Sequence, residues 1–96
     1  MQKENNYMII IQCPCCSYYT ISVDETQDII IDFCEVCGWQ YDVAGILKPD
    51  KAIGPNRISL NEARENYRLY QASEKRLVGT KWIRNPLPEE FPENNL

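Results

Sequence analysis

Residues 13–38 read CPCCSYYTISVDETQDIIIDFCEVCG. Two Cys-x-x-Cys pairs, Cys13 with Cys16 and Cys34 with Cys37, stand 17 residues apart, the form C-x2-C-x17-C-x2-C. That spacing falls in the window of a four-cysteine metal site. A Cys-x-x-Cys turn brings two thiolates to one ion, and a chain that reverses between the pairs completes a tetrahedron. Gly38, directly after the second pair, can take the positive φ that turns backbone N–H groups toward sulfur. Between the pairs, Tyr18–Val23 and Ile29–Phe33 have strand composition, and residues 24–28 suit a turn. The segment therefore reads as an antiparallel hairpin with a cysteine pair at each open end. Such a hairpin is marginal alone in water, so one structural zinc ion on Cys13, Cys16, Cys34 and Cys37 is expected to hold it. Iron satisfies the same ligand set and stands as the alternative. Cys15 is read as non-ligating.

A disulfide framework fits poorly, because the cysteine count is five and no export signal precedes the first strand. A redox pair normally opens a helix in a βαβ unit, which nothing here supplies. Tyr7–Gln12 reads as a first strand leading into Cys13, and its apolar run is far too short to span a bilayer. The expected location is therefore a reducing cytoplasm, with no membrane partner.

Downstream, residues 38–56 are punctuated by Gly45, Pro49, Gly54 and Pro55 and are expected to be irregular but packed. Ser59-Leu60-Asn61-Glu62 reads as a capping box that opens a helix over about 59–73. Its apolar stripe, Leu60, Ala63, Tyr67 and Tyr70, is expected to lie against the sheet. Thr80–Arg84 reads as a short extended piece, and Pro86, Pro88 and Pro92 forbid regular structure in an acidic tail over 85–96. Trp39 and Trp82 are read as core. The whole chain is taken as one small α+β domain, a zinc-ribbon-like antiparallel hairpin or sheet over 7–42 with a C-terminal helix packed on it.

The 96 residues carry a net charge of −4 and no histidine. Residues 1–56 hold three Lys against eight Asp or Glu, whereas residues 57–84 hold seven Lys or Arg against three Glu. The acidic set Asp24, Glu25, Asp28, Asp32 and Asp42 is a candidate protein-binding face, suited to a basic partner. The basic set from Arg57 to Arg84 is the alternative, a nucleic-acid surface. An enzyme is disfavoured: four sulfur ligands leave a metal no open position, and the usual general base is missing.

The motifs together resemble the cysteine-rich CPCC family of small bacterial proteins. The likeness rests on Cys13-Pro14-Cys15-Cys16, on Cys34-Glu35-Val36-Cys37 with Trp39 and Asp42, on residues 54–67, and on Pro86 following Arg84. Ser17 departs from the family's usual Gly, and Gln40-Tyr41 from a usual acidic pair. The resemblance implies a zinc-ribbon fold and, since several members are encoded beside toxins, an immunity protein that neutralises a toxin.

Overall fold

The computed structural model describes residues 8–24, 29–31 and 33–96. Residues 1–7, 25–28 and 32 lie outside them, and with them Tyr7, most of the expected turn and the candidate face residues Glu25, Asp28 and Asp32. Three antiparallel strands form one sheet in the order β1 (Met8–Gln12), β2 (Tyr19–Asp24), β3 (Ile29–Ile31). Ile11 pairs with Ile21 but Gln12 pairs with Tyr19, so Thr20 is an extra residue bulged out of β2. A bulge of this kind re-aims the local side chain, and Thr20 proves to face a cysteine. Phe33, read as the end of a strand, makes an isolated bridge with Gln40 instead.

The stretch expected to be irregular contains a short helix, α1 (Val43–Leu47). Asp42 opens it, accepting from the Ala44 and Gly45 amides at 3.2 Å each. The aspartate thus serves as an N-cap, a common place for this residue type. Helix α2 (Leu60–Tyr70) begins where the capping motif puts it, with Ser59 Oγ accepting from the Glu62 amide at 3.0 Å. The return contact from the Glu62 side chain is not formed. The helix stops three residues before the expected end because Gln71 turns left-handed at φ 60 and caps it through the Tyr67 carbonyl. That turn sends Ala72 and Ser73 into the interior, where the Ser73 amide donates to the Cys37 carbonyl at 2.7 Å.

Of the helical stripe, Leu60 and Ala63 are fully buried, Tyr67 is half-buried and Tyr70 is exposed. Leu60, Ala63 and Tyr67 pack with the knuckle cysteines and Ile21 of β2. The principal core joins Leu60 and Ala63 to Ile21, Val36, Trp39 and all five cysteines. So small a core, half of it sulfur, has little apolar area to offset chain entropy.

Three expectations about the C-terminal third are corrected. Thr80–Arg84 forms turns rather than an extended piece, and Trp82 is 62% exposed rather than core. A short 3-10 turn at Lys75–Leu77 precedes this segment, and the acidic tail is also more regular than its prolines suggested, with 3-10 turns at Pro88–Glu90 and Pro92–Asn94. Pro88 and Pro92 each occupy the first helical position, where the missing N–H costs nothing. Phe91 between them stacks edge-on against Tyr18, centroids 5.2 Å apart, which pins the tail to the first knuckle.

Candidate metal centre

Two knuckles of nearly identical backbone carry the cysteines. In the first, the Cys13 amide donates to the Tyr18 carbonyl at 2.8 Å and the Ser17 amide to the Cys13 carbonyl at 2.8 Å. In the second, the Cys34 amide donates to the Trp39 carbonyl at 2.9 Å and the Gly38 amide to the Cys34 carbonyl at 2.8 Å. The residue after each pair is left-handed, Ser17 at φ 73 and Gly38 at φ 86. Each closure lets the chain fold back over its own thiols.

Folding the hairpin brings the knuckles face to face. The sulfurs of Cys13, Cys16, Cys34 and Cys37 all lie within 4.8 Å of one another, and all four residues are buried. Cys13 Sγ is 3.6 Å from Cys37 Sγ, and Cys16 Sγ is 3.6 Å from Cys34 Sγ. A tetrahedron of zinc–sulfur bonds of about 2.3 Å has edges of about 3.8 Å. These contacts are therefore of ligand spacing and far from the disulfide length of about 2.05 Å. The fifth thiol, Cys15, is buried beside the cluster but outside the converging set.

The sulfurs are also supplied with donors. Cys13 Sγ accepts from the Cys15 amide, Cys34 Sγ from the Cys37 amide, and Cys37 Sγ from the Trp39 amide, each at 3.4 Å. The bulged Thr20 hydroxyl donates to Cys34 Sγ at 3.0 Å. Sequence reasoning missed this contact, because a one-residue register shift has no signature in strand composition. The Cys34 thiol is held far below the ordinary range by hydrogen bonds from Cys13, Cys16 and Cys37, with Thr20 assisting. Cys16 is pushed far up, first by Cys13 and then by Cys34. Cys37 is pushed far up by all four other cysteines, Cys13 foremost. Thiols this close cannot all ionise unaided, and a dication resolves the conflict by displacing their protons. Donor set, spacing and enclosure all fit a thiolate-bound metal ion.

Further contacts hold the knuckles from outside. Arg64 Nε donates to the Pro14 carbonyl at 2.8 Å, and the Arg84 amide to the Glu35 carbonyl at 2.8 Å. The Arg84 guanidinium reaches Glu35 at 3.2 Å and grips the buried Glu90 carboxylate through both NH groups at 2.8 and 2.7 Å. Arg84 holds Glu90 below the usual carboxylate range. Neither partner of this clamp was singled out from sequence as a pair.

Of the acidic candidates, Asp24 and Asp42 lie among the described residues. Asp24 ends β2 and Asp42 caps α1. Among the described residues no helix is long and apolar enough to cross a membrane. Comparison with curated proteins and with solved structures finds no match. A family model described as cysteine-rich CPCC matches residues 11–90. That span takes in both knuckles, α1, α2 and the Arg84–Glu90 clamp, and by it the chain belongs to the cysteine-rich CPCC family.

Proposed function

We propose that this chain is a non-enzymatic binding module stapled by one structural zinc ion on Cys13, Cys16, Cys34 and Cys37. The carrying observation is the enclosed set of four buried sulfurs at tetrahedral spacing. Four protein ligands leave no position for water or substrate, so the ion acts as a strut. Native mass spectrometry of the purified chain tests this directly. One zinc per chain is the expected mass, whereas a visible charge-transfer band would assign iron, and a metal-free folded protein would overturn the reading.

The partner we favour is a protein, and by family resemblance a basic toxin domain that the chain neutralises in a reducing cytoplasm. Against the nucleic-acid alternative stands the use already made of the basic segment. Arg64, Arg68, Arg76 and Arg84 each bond within the chain, and the last three pair with carboxylates, which reduces the positive charge this segment can offer to phosphates. Co-purification of the chain with the product of its neighbouring gene is the expected result. Salt-sensitive retention on mixed oligonucleotides, with no protein complex, would favour the alternative instead.

A further inference from the structure

Of the five arginines, four are engaged within the chain as described above. Among the described residues Arg57 carries no hydrogen bond or ion pair. It is exposed, and its backbone is left-handed at φ 64. A side chain of this size there costs about 1–2 kcal/mol and persists only where neighbours fix the turn. Asn56 does so: its Oδ1 accepts from the Gln40 amide at 2.9 Å and its Nδ2 donates to the Gln40 carbonyl at 2.8 Å. The Asn56 side chain thereby pairs with the Gln40 backbone as a strand residue would and anchors the turn just before Arg57.

Beside this turn lies a hollow of about 450 Å³ lined by Arg57, Gln40, Phe33, Arg76 and Glu74, among others. Arg76 is tied to Glu74 by two contacts of 3.1 Å, so that pair is close to neutral and Arg57 gives the hollow one net positive charge. Phe33, 38% exposed, supplies an apolar wall.

We infer that this hollow is an oxyanion site in which the Arg57 guanidinium grips a carboxylate or phosphate group. A planar guanidinium meets such a group with two parallel N–H bonds, and a charge-assisted pair of this kind is stronger than a neutral one. The locked turn means that no backbone freedom has to be lost on binding, and the cost falls on the Arg57 side chain alone. Glu74 opposes an anion, which places the ligand on the Arg57 side, next to the Phe33 ring.

The test is a titration of the isotopically labelled, metal-loaded chain with sodium phosphate and, separately, sodium acetate, at constant ionic strength with chloride as the reference. Saturable shifts of the Gln40, Asn56 and Arg57 amides and of Arg57 Nε–H are expected. Saturation by phosphate alone assigns a phosphate ligand, by acetate alone a carboxylate, and by both a general oxyanion site. R57Q should weaken binding about tenfold to a hundredfold, and Gln71 at φ 60 shows that this chain seats glutamine in such a backbone. R57K keeps the charge without the fork and should bind between the two. Drift that matches chloride, or unchanged affinity in R57Q or in R57K, would overturn the assignment. If R57Q does not fold, the wild-type and R57K arms still decide.

Discussion

The two knuckles share a backbone and differ in nearly everything around it. The second closes on glycine, the first on serine, and both closures are left-handed. After the second comes Trp39, sealed in the core; after the first comes Tyr18, half-buried between the Tyr67 and Phe91 rings. The second knuckle's sulfurs receive two backbone amides and the Thr20 hydroxyl, whereas the first knuckle's receive one amide, that of Cys15. Hydrogen bonds to a charged acceptor contribute roughly 1.5–3 kcal/mol each. The same turn has thus been made once as a firm half-site and once as a weaker one, and the weaker half is the one that should open first.

Metal removal gives the largest effect. Binding energy at such sites is folding energy, typically about 10–16 kcal/mol, comparable to a whole domain's stability of about 5–15 kcal/mol. Full chelation is expected to unfold the cysteine end, seen as loss of far-UV structure and of protease resistance. With limiting chelator, the Cys15 and Ser17 amides should exchange before those of Cys37 and Trp39. Simultaneous exchange would mean that the extra donors of the second knuckle do not matter. Next comes Gly38→Ala. A Cβ there would lie 2.4 Å from Leu77 Cδ1 on a backbone of φ 86, so left-handed strain and overpacking, less the unfolded-chain entropy that glycine carries, predict a loss of about 1.5–4 kcal/mol in urea unfolding. A loss below about 1 kcal/mol would show that Leu77 simply moves aside.

Most of the site was legible because it is local. Cys-x-x-Cys fixes two ligands within one turn, the 17-residue interval reports the hairpin, and Ser59 announces α2. What could not be read depends on contacts between distant residues or on one-residue shifts. Thr20 reaches Cys34 only because β2 bulges, and the left-handed Gln71 that ends α2 at Tyr70 delivers Ser73 to the distant Cys37 carbonyl. Glu90 is buried only because Arg84, already held by the second knuckle, waits for it. The prolines of the tail were read as breakers when two of them start 3-10 turns, since a proline at a first helical position and one at a stop look alike in sequence.

The tail ties the unequal halves together: Arg84 grips the second knuckle at Glu35, and Phe91, the residue after Glu90, packs on Tyr18 of the first. Glu90→Gln should therefore loosen both, at a cost of about 1–3 kcal/mol at neutral pH. The pH dependence follows from Arg84 lowering the Glu90 carboxyl. A carboxyl lowered on folding stabilises the protein above its unfolded value of about 4.3 and loses that contribution as pH falls through the lower folded value. The gap between wild type and E90Q should hold from neutral pH down to that region and then close. Acid also protonates the thiolates, but it does so in both proteins, so their difference isolates Glu90. If only the second knuckle's amides lose protection in E90Q, the tail is not a bridge.

The smallest effect has the opposite sign. At φ 73, Ser17 carries the left-handed penalty of about 1–2 kcal/mol. Glycine removes that penalty but costs about 0.5–1 kcal/mol more in unfolded-chain entropy. Ser17→Gly should therefore stabilise the protein by roughly 0.5–1 kcal/mol. It should also delay exchange of the Cys15 amide under limiting chelator, which narrows the interval between the knuckles without closing it, because the sulfur donors are untouched. The reasoning turns on backbone rather than side chain, since Ser17 is exposed and its amide and carbonyl make its hydrogen bonds, to the Cys13 carbonyl and from Gln12 Nε2. Equal destabilisation by Ser17→Gly and Ser17→Ala would show instead that the hydroxyl, and not the turn, is what the first knuckle uses.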